Sequence, residues 1–292
     1  MIDPRVTWAG IRQHPLARQH PWRAVWNVLS WQLRSRLLAE VHVAFADRTV
    51  LKASRAMTGL TGNVYFGLHE YESMSFALHL LSADDLFVDV GANAGSYTVL
   101  AAGVRAAKAL AIEPDSAALA ALRNNVDANG LGPRVEICSD LIGDQVGQRA
   151  FSTGLDTINH VLSETELKAG AAHVLRSCTT LDRALGGRAP TLIKIDVEGE
   201  EVSALRGAVQ TLAQSSLLAL IVECSADSQP DVRAILHAHG FEPARYRPDQ
   251  RQLERLPSPL DGNTLYVRWH CDLQHRLTHA PAVRIHPLSC LV

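Results

Sequence analysis

Residues Leu86 to Asp115 read LFVDVGANAGSYTVLAAGVRAAKALAIEPD, and the punctuation of this stretch decides the fold. A short apolar run, Leu86-Phe87-Val88, is interrupted by Asp89 and then by Gly91, Asn93 and Gly95. A helical run of small residues follows, then a second apolar strand, Ala109 to Ile112, which ends on Glu113. Strand, glycine turn, helix, strand and acid make the layout of a nucleotide-binding βαβ unit. Glycine lets the backbone turn sharply and approach a ligand that a Cβ would hold off. A carboxylate closing the second strand offers two acceptors to the paired hydroxyls of a ribose.

Downstream the pattern repeats. Pro114 and Asp115 open a helix whose apolar face, Leu119, Leu122 and Val126, runs to Asn129-Gly130. Val135 to Cys138 reads as a third strand, followed by Ser139 and Asp140. A fourth, Leu192 to Ile195, is cut off by Asp196-Val197-Glu198-Gly199. A helix faced by Val202, Leu205, Val209 and Leu212 leads to a fifth strand, Leu217 to Val222, ending on Glu223. A helix over Asp231 to His239 and two late strands, near Phe241 to Tyr246 and Thr264 to Trp269, complete the series. Alternating strands and helices predict an α/β fold: a mostly parallel, seven-stranded Rossmann-like sheet covered by helices on both faces. Ligands of such sheets bind beyond the strands' C-terminal ends, where Asp89, Glu113, Asp140, Asp196 and Glu223 collect. The polar connection from Leu141 to Gly170 reads as irregular and, at that length, as functional.

Upstream, residues 1–21 read as an irregular arm. Trp22, Trp26, Leu29, Leu33 and Leu37 then recur at helical spacing. This predicts a helix packed on the core or on a second copy of the chain in a homodimer; weak association of residues 22–40 with a membrane surface is the alternative. Val41 to Ala53 predicts a hairpin around Asp47-Arg48, Gly59 to Gly67 a loop, and Tyr71 to Leu81 a helix. The expected division is an N-terminal extension (1–55), a cofactor-binding domain (56–270) and a C-terminal tail (271–292).

Of the 292 residues 47% are apolar and 20% charged, a soluble globular composition with a net charge of −2. Residues 1–40 carry six arginines against Asp3 and Glu40, a net of +4 that leaves −6 for the remainder. The main domain lacks a basic strip interleaved with aromatics, so a nucleic-acid partner is not expected. No apolar run reaches transmembrane length and the first residues lack a signal-peptide core. The five scattered cysteines contain no CxxC pair and fit reduced thiols in a cytoplasmic protein.

A dinucleotide site requires G-x-G-x-x-G, but here Asn93 occupies the second glycine position and Asp89 would repel a pyrophosphate. S-adenosylmethionine has no phosphate; it carries a sulfonium, an ammonium and a carboxylate. D-x-G-x-x-x-G followed by E-P resembles the cofactor site of class I methyltransferases. The likeness extends through YFGLHEYESM, FVDVGANAGSYTVLA, AIEPD with Asn124-Asn125, TTLDRAL and LIKIDVEGEEVSALRGA, in that order, over residues 60–245. Together these segments resemble the FkbM-type methyltransferases, a group that methylates hydroxyl oxygens of sugars and polyketide-type metabolites. The basic arm before residue 40 lies outside the resemblance.

The resemblance implies that Asp89, Gly91, Asn93 and Gly95 surround the cofactor's methionine part. Glu113, with Pro114 beside it, holds the ribose, and Ser139 or Asp140 meets the adenine amino group. Tyr97 and Thr98 begin the helix near the cofactor carboxylate, and Glu70 in HEYES approaches its ammonium. Methylating an aliphatic hydroxyl needs a base. Asp196 and Glu198 are the first candidates, with Glu223 as third carboxylate and His160 as a loop base of suitable ordinary pKa. Asp156, Asn159 and His160 are placed to bind a polar acceptor. Asp196, Glu198 and Glu223 are also hard oxygen ligands of the kind Mg²⁺ takes, although a divalent metal is not the favoured reading. The fourth strand is not followed by N/D-P-P-Y/F, which disfavours nitrogen as acceptor. The expectation is an S-adenosylmethionine-dependent O-methyltransferase for a sugar, glycan, glycolipid or polyketide-type molecule. The rivals are an NAD-dependent oxidoreductase on a similar sheet and a non-catalytic scaffold in a biosynthetic complex.

Overall fold

Runs such as Phe87-Val88-Asp89-Val90 and Leu192-Ile193-Lys194-Ile195 are buried along their whole length, as strands covered on both faces must be. In the computed structural model, which describes residues 4–55, 57–154, 159–260 and 262–292, they form the centre of one large sheet. Its strands are β1 (Leu86–Val90), β2 (Lys108–Ile112), β3 (Val135–Cys138), β4 (Leu192–Ile195), β5 (Ala219–Cys224), β6 (Glu242–Arg247), β7 (Gln252–Arg255) and β8 (Gly262–Val267). The order is β7-β6-β8-β5-β4-β1-β2-β3. β1 to β5 run parallel; β8 inserts antiparallel between β5 and β6. The expected α/β class is therefore present, with eight strands among the described residues rather than seven. The addition is β7, whose polar QLER sequence pairs only with β6 at the sheet edge and leaves no apolar alternation to read.

Side chains alternate across each strand, so Phe87, Ala109 and Ile221 enter one apolar layer while Val88, Val90, Leu110, Ile193 and Val222 enter the other. The first described elements are helices α1 (Pro4–Gln13) and α2 (Pro21–Leu37). The irregular arm expected at 1–21 is thus largely helical, pinned by buried Ile11, Leu16 and Ala17 and by His14, whose ring meets the Leu68 carbonyl at 2.8 Å. Helix α2 packs on the core, but through the face opposite the predicted apolar stripe. Ala24, Val28, Trp31 and Ser35 face inward, whereas Trp22 (78% exposed), Trp26 (69%), Leu29 (59%), Leu33 (62%) and Leu37 (73%) face outward.

The hairpin Val41–Ala44 with Val50–Ala53 forms as predicted. The predicted glycine loop is instead helix α3 (Thr58–Phe66), ended by Gly67 at φ +78°. Helices α4 (Tyr71–Leu80) and α5 (Ser116–Ala128) follow their periodicity, the latter capped by Asp115, whose carboxylate accepts from the Ala117 and Ala118 amides at 2.9 Å. The connection after β3, expected to be irregular, carries a small sheet of Leu141–Ile142, Gly147–Ser152 and His173–Thr179. Its two longer strands, GQRAFS and HVLRSCT, are exposed at one end and buried at the other, with no alternation of burial to read from the sequence.

Beyond β8, helix α6 (Cys271–His279) and a short hairpin return to the N-terminal hairpin. The Asp47 amide donates to the Arg284 carbonyl at 2.8 Å and the His286 amide to the Phe45 carbonyl at 2.9 Å. Leu273, Leu277 and Ile285 share the core layer of Ile11, Trp31 and Phe45. All five cysteines are free. No described helix is long and apolar enough to cross a membrane.

Candidate active site

The C-terminal ends of β1, β2, β4 and β5 open into a cavity of about 400 Å³. Its floor is the turn after β1. Gly91 sits at φ +80°, and a Cβ there would lie 1.8 Å from the Asp196 carbonyl oxygen, so this turn and the one after β4 meet backbone to backbone. Only glycine satisfies both demands. The Gly91 and Ala92 amides donate to the Ile112 carbonyl at 3.0 Å. Asn93 adopts φ +49°, and its side-chain oxygen accepts from the Ala94 amide at 2.7 Å, a local bond that lets asparagine take this conformation. Gly95, at φ +85°, caps the following helix.

Glu113 follows β2 and is 7% exposed. One carboxylate oxygen accepts from the Asn93 amide and the other from the Asp115 amide, both at 2.8 Å. The carboxylate thereby ties the ends of the two strand turns together, and each oxygen keeps a further lone pair. Burial pushes its pKa up to about 7, against the two amides, which favour the charged form. Asp89 is fully buried beside it, accepts from the Thr98 hydroxyl at 2.6 Å, and is likewise raised by burial.

Lys194, in the buried middle of β4, reaches Asp196 at 2.5 Å and passes 5.1 Å from the centre of the Tyr97 ring. Burial opposes its charge, but Asp196, Glu70 and Asp89 outweigh that and hold its pKa above the usual lysine range. The Tyr97 hydroxyl donates to Glu70 at 2.7 Å and the Asn263 amide to the same oxygen at 2.6 Å. Glu223 projects from β5 itself; burial, then Asp196 and Glu70, push its pKa up to about 7. Glu198 is raised by burial and by Asp196.

Of the residues proposed from sequence, Glu70, Asp89, Gly91, Asn93, Tyr97, Glu113, Pro114, Asp140, Asn159, His160, Asp196, Glu198 and Glu223 line the cavity. Gly95 and Thr98 do not; they shape the turn and hold Asp89 from beneath. Ser139 is exposed and also outside the lining. Asp156 lies outside the described residues. Asn159 donates to Asp115 at 3.1 Å, and the His160 ring meets Glu166 at 2.9 Å. Asp196, Glu198 and Glu223 do not bring their oxygens together as a cation cage would. Among the described residues, that proximity occurs only at His270, Cys271 and Asp272, all exposed.

Four contributors were not among the site residues proposed from sequence. Lys194 was legible only as the odd charge in an apolar strand. Gly59 and Gly62 line the cavity from α3; a Cβ on Gly62 would strike the His69 ring at 2.3 Å. Asn125, fully buried in α5, donates to the Ala94 carbonyl at 2.9 Å and accepts from the Lys52 amide at 2.7 Å, fastening the glycine turn to the N-terminal hairpin.

Nine carboxylates line the cavity (Glu70, Asp89, Glu113, Asp115, Asp140, Asp196, Glu198, Glu200 and Glu223), against one lysine and no arginine among the described residues. That lysine is already paired. Such a wall repels a pyrophosphate and favours a ligand bearing positive charge and a free diol. The sulfonium, ammonium and ribose of S-adenosylmethionine fit these donors and acceptors, with the apolar side chains of Leu141, Ile142 and Phe151 left for a flat base.

Among solved structures, the chain is similar to a precorrin-6y C5,15-methyltransferase from Geobacter metallireducens (13% identity, 69% of this chain and 88% of that one, TM-score 0.42). It is also similar to a putative methyltransferase from Streptococcus mutans in complex with S-adenosylhomocysteine (12% identity, 68% and 96%, TM-score 0.38). A third is a precorrin 8W decarboxylase from Methanobacterium thermoautotrophicum (17% identity, 68% and 89%, TM-score 0.39). No curated protein matches. The methyltransferase FkbM domain matches residues 89–243, from the acid of β1 into β6. That span is more than half of the chain and contains most of the cavity's carboxylates, so the protein belongs to the FkbM family of methyltransferases, with S-adenosylmethionine as its cofactor.

Proposed function

We propose that the enzyme methylates a hydroxyl oxygen of a polar acceptor, a sugar, glycan, glycolipid or polyketide-type molecule, and that Glu223 is the base. The observation that carries this is a half-buried carboxyl that β5 places in the cavity lining near Asp196 and Glu70; burial and those two acids push its pKa up to about 7. A base poised near the working pH combines a useful deprotonated fraction with a real affinity for the proton. Of Asp196 and Glu198, the first candidates on sequence grounds, Asp196 has a carboxylate oxygen engaged by the Lys194 ammonium at 2.5 Å and Glu198 is exposed.

S-adenosylmethionine supplies a methyl carbon activated by its sulfonium, which passes to the acceptor oxygen as the carbon–sulfur bond breaks and a neutral thioether leaves. The protein's own contribution is placement. Glu113 accepts from the ribose hydroxyls with the lone pairs its backbone amides leave free. Asp140, beside Leu141 and Ile142, receives the adenine amino group. Asp89, Glu70 and the Lys194–Asp196 pair surround the methionine end, where negative charge favours ammonium and sulfonium. Glu223 takes the hydroxyl proton as the oxygen attacks. Asn159 and His160, on the connection after β3, offer polar contacts to the acceptor's other hydroxyls.

The test is product analysis. Incubation with S-adenosylmethionine and a panel of nucleotide sugars, oligosaccharides and hydroxylated polyketides is expected to give a methyl ether, identified by its carbon chemical shift. Methylation at nitrogen or carbon would overturn the oxygen assignment. Retention of wild-type kcat by Glu223→Gln would remove the base from β5.

A further inference from the structure

The outward face of α2 is exposed and has no partner among the described residues. Trp22, Trp26, Leu29, Leu33 and Leu37 form one continuous stripe, diametrically opposite the buried edge of Ala24, Val28, Trp31 and Ser35. Trp8 of α1 and Leu38 are exposed as well. Contiguous apolar surface of this kind marks an interaction site, since isolated exposed apolar residues are ordinary but a stripe of them is costly in water. The charge around it is one-sided. From residue 4 to residue 39 there is no Asp or Glu, while Arg12, Arg18, Arg23, Arg34 and Arg36 are all exposed.

We propose that this face docks on an anionic phospholipid surface, with α2 lying in the interfacial plane and its tryptophans and leucines entering the headgroup–acyl boundary. A helix with Trp and Leu on one side and arginines flanking it is built for that position. Charge selects the lipid over a second copy of the chain. Pairing two copies through this stripe would set their arginine flanks against each other, with Glu40 at the end of the segment already paired to His42 and Lys52, whereas anionic headgroups attract the arginines. The remaining chain carries −6 against +4 here, so the same surface repels the body and confines contact to α2.

The docking element is joined to the active site. The Asn27 side-chain amide donates to the Tyr65 carbonyl at 3.2 Å and Gln32 to the Tyr65 hydroxyl at 3.1 Å. Tyr65 belongs to α3, whose Gly59, Leu60 and Gly62 line the cavity. A wall of the cavity is thereby carried by the membrane-bound helix, which suits an acceptor presented at a lipid surface, such as a sugar on a lipid carrier. That last step rests on the O-methyltransferase reading; the docking itself does not.

The experiment is flotation of the full chain with vesicles of phosphatidylcholine alone or of phosphatidylcholine with phosphatidylglycerol. Binding is expected only to the anionic vesicles and is expected to weaken with salt. The triple variant Trp22→Ser/Trp26→Ser/Leu33→Ser, altered only at exposed positions, should bind at least ~10-fold more weakly while keeping its calorimetric affinity for S-adenosylhomocysteine. Arg34→Gln/Arg36→Gln should lose part of the anionic binding. Failure of the wild type to float, or equal binding to neutral vesicles, would overturn the proposal. A dimer in sedimentation that the triple variant dissociates would overturn it in favour of a second copy. Flotation needs no acceptor, so its result is independent of whether oxygen is the methylated atom.

Discussion

Replacing Glu113 by Gln tests the electrostatics on which the cofactor site rests. The folded carboxyl titrates near 7 and an unfolded one near 4.5. A raised pKa means that the folded state binds the proton more tightly. The associated stability is therefore fully present below pH 4.5 and is lost as pH rises through 7. At about 1.4 kcal/mol for each tenfold in proton affinity, the wild type loses about 2–3 kcal/mol from this group between pH 5 and pH 8. Glutamine has no such titration. It also supplies one acceptor where two amides, those of Asn93 and Asp115, now donate. One buried N–H then faces the side-chain NH₂, at a cost of about 1–3 kcal/mol. The variant should be clearly less stable than wild type at pH 5 and should match or exceed it at pH 8. Urea unfolding of the cofactor-free protein at the two pH values measures this. An equal difference at both would refute the buried, proton-binding carboxyl.

Three further outcomes are expected. The Glu223→Gln variant should lose about 10²–10⁴-fold in kcat with unchanged affinity for S-adenosylhomocysteine, and wild-type kcat should rise with pH with a midpoint near 7; a flat profile from pH 5.5 to 8.5 would count against this base. Gly91→Ala, which places a Cβ on the Asp196 carbonyl at positive φ, should cost at least about 1–2 kcal/mol and abolish cofactor binding, read by thermal melting and calorimetry. Asn125→Ala should cost about 2–4 kcal/mol, because the Lys52 amide and the Ala94 carbonyl both lose a buried partner; an unchanged unfolding midpoint would show that the hairpin does not brace the glycine turn.

Local chemistry made much of the protein legible in its sequence. Gly91 and Gly95 announce positive φ, Asp115 announces a helix start, and Leu192 to Ile195 announces a strand covered on both faces. Each conclusion depends on neighbours a few residues away. The acids at the ends of β1, β2, β4 and β5 were legible for a related reason: parallel topology brings such positions to one rim. Neighbouring residues and the parallel topology they imply were therefore enough for the α/β sheet, the cofactor turn and the family.

Tertiary structure decided what depends on partners remote in the chain. The periodicity of α2 predicts a helix with an apolar side, but not which side the body takes. Ala24, Val28, Trp31 and Ser35 fit against it and the larger stripe is left facing solvent. Asp196 and Glu223 look equivalent as strand-end acids. Lys194 claims the first, and burial beside other carboxylates raises the second. The glycines of α3 read as a loop because helix propensity disfavours them. The His69 ring and the glycine turn require their missing side chains, a demand visible only once the segments meet.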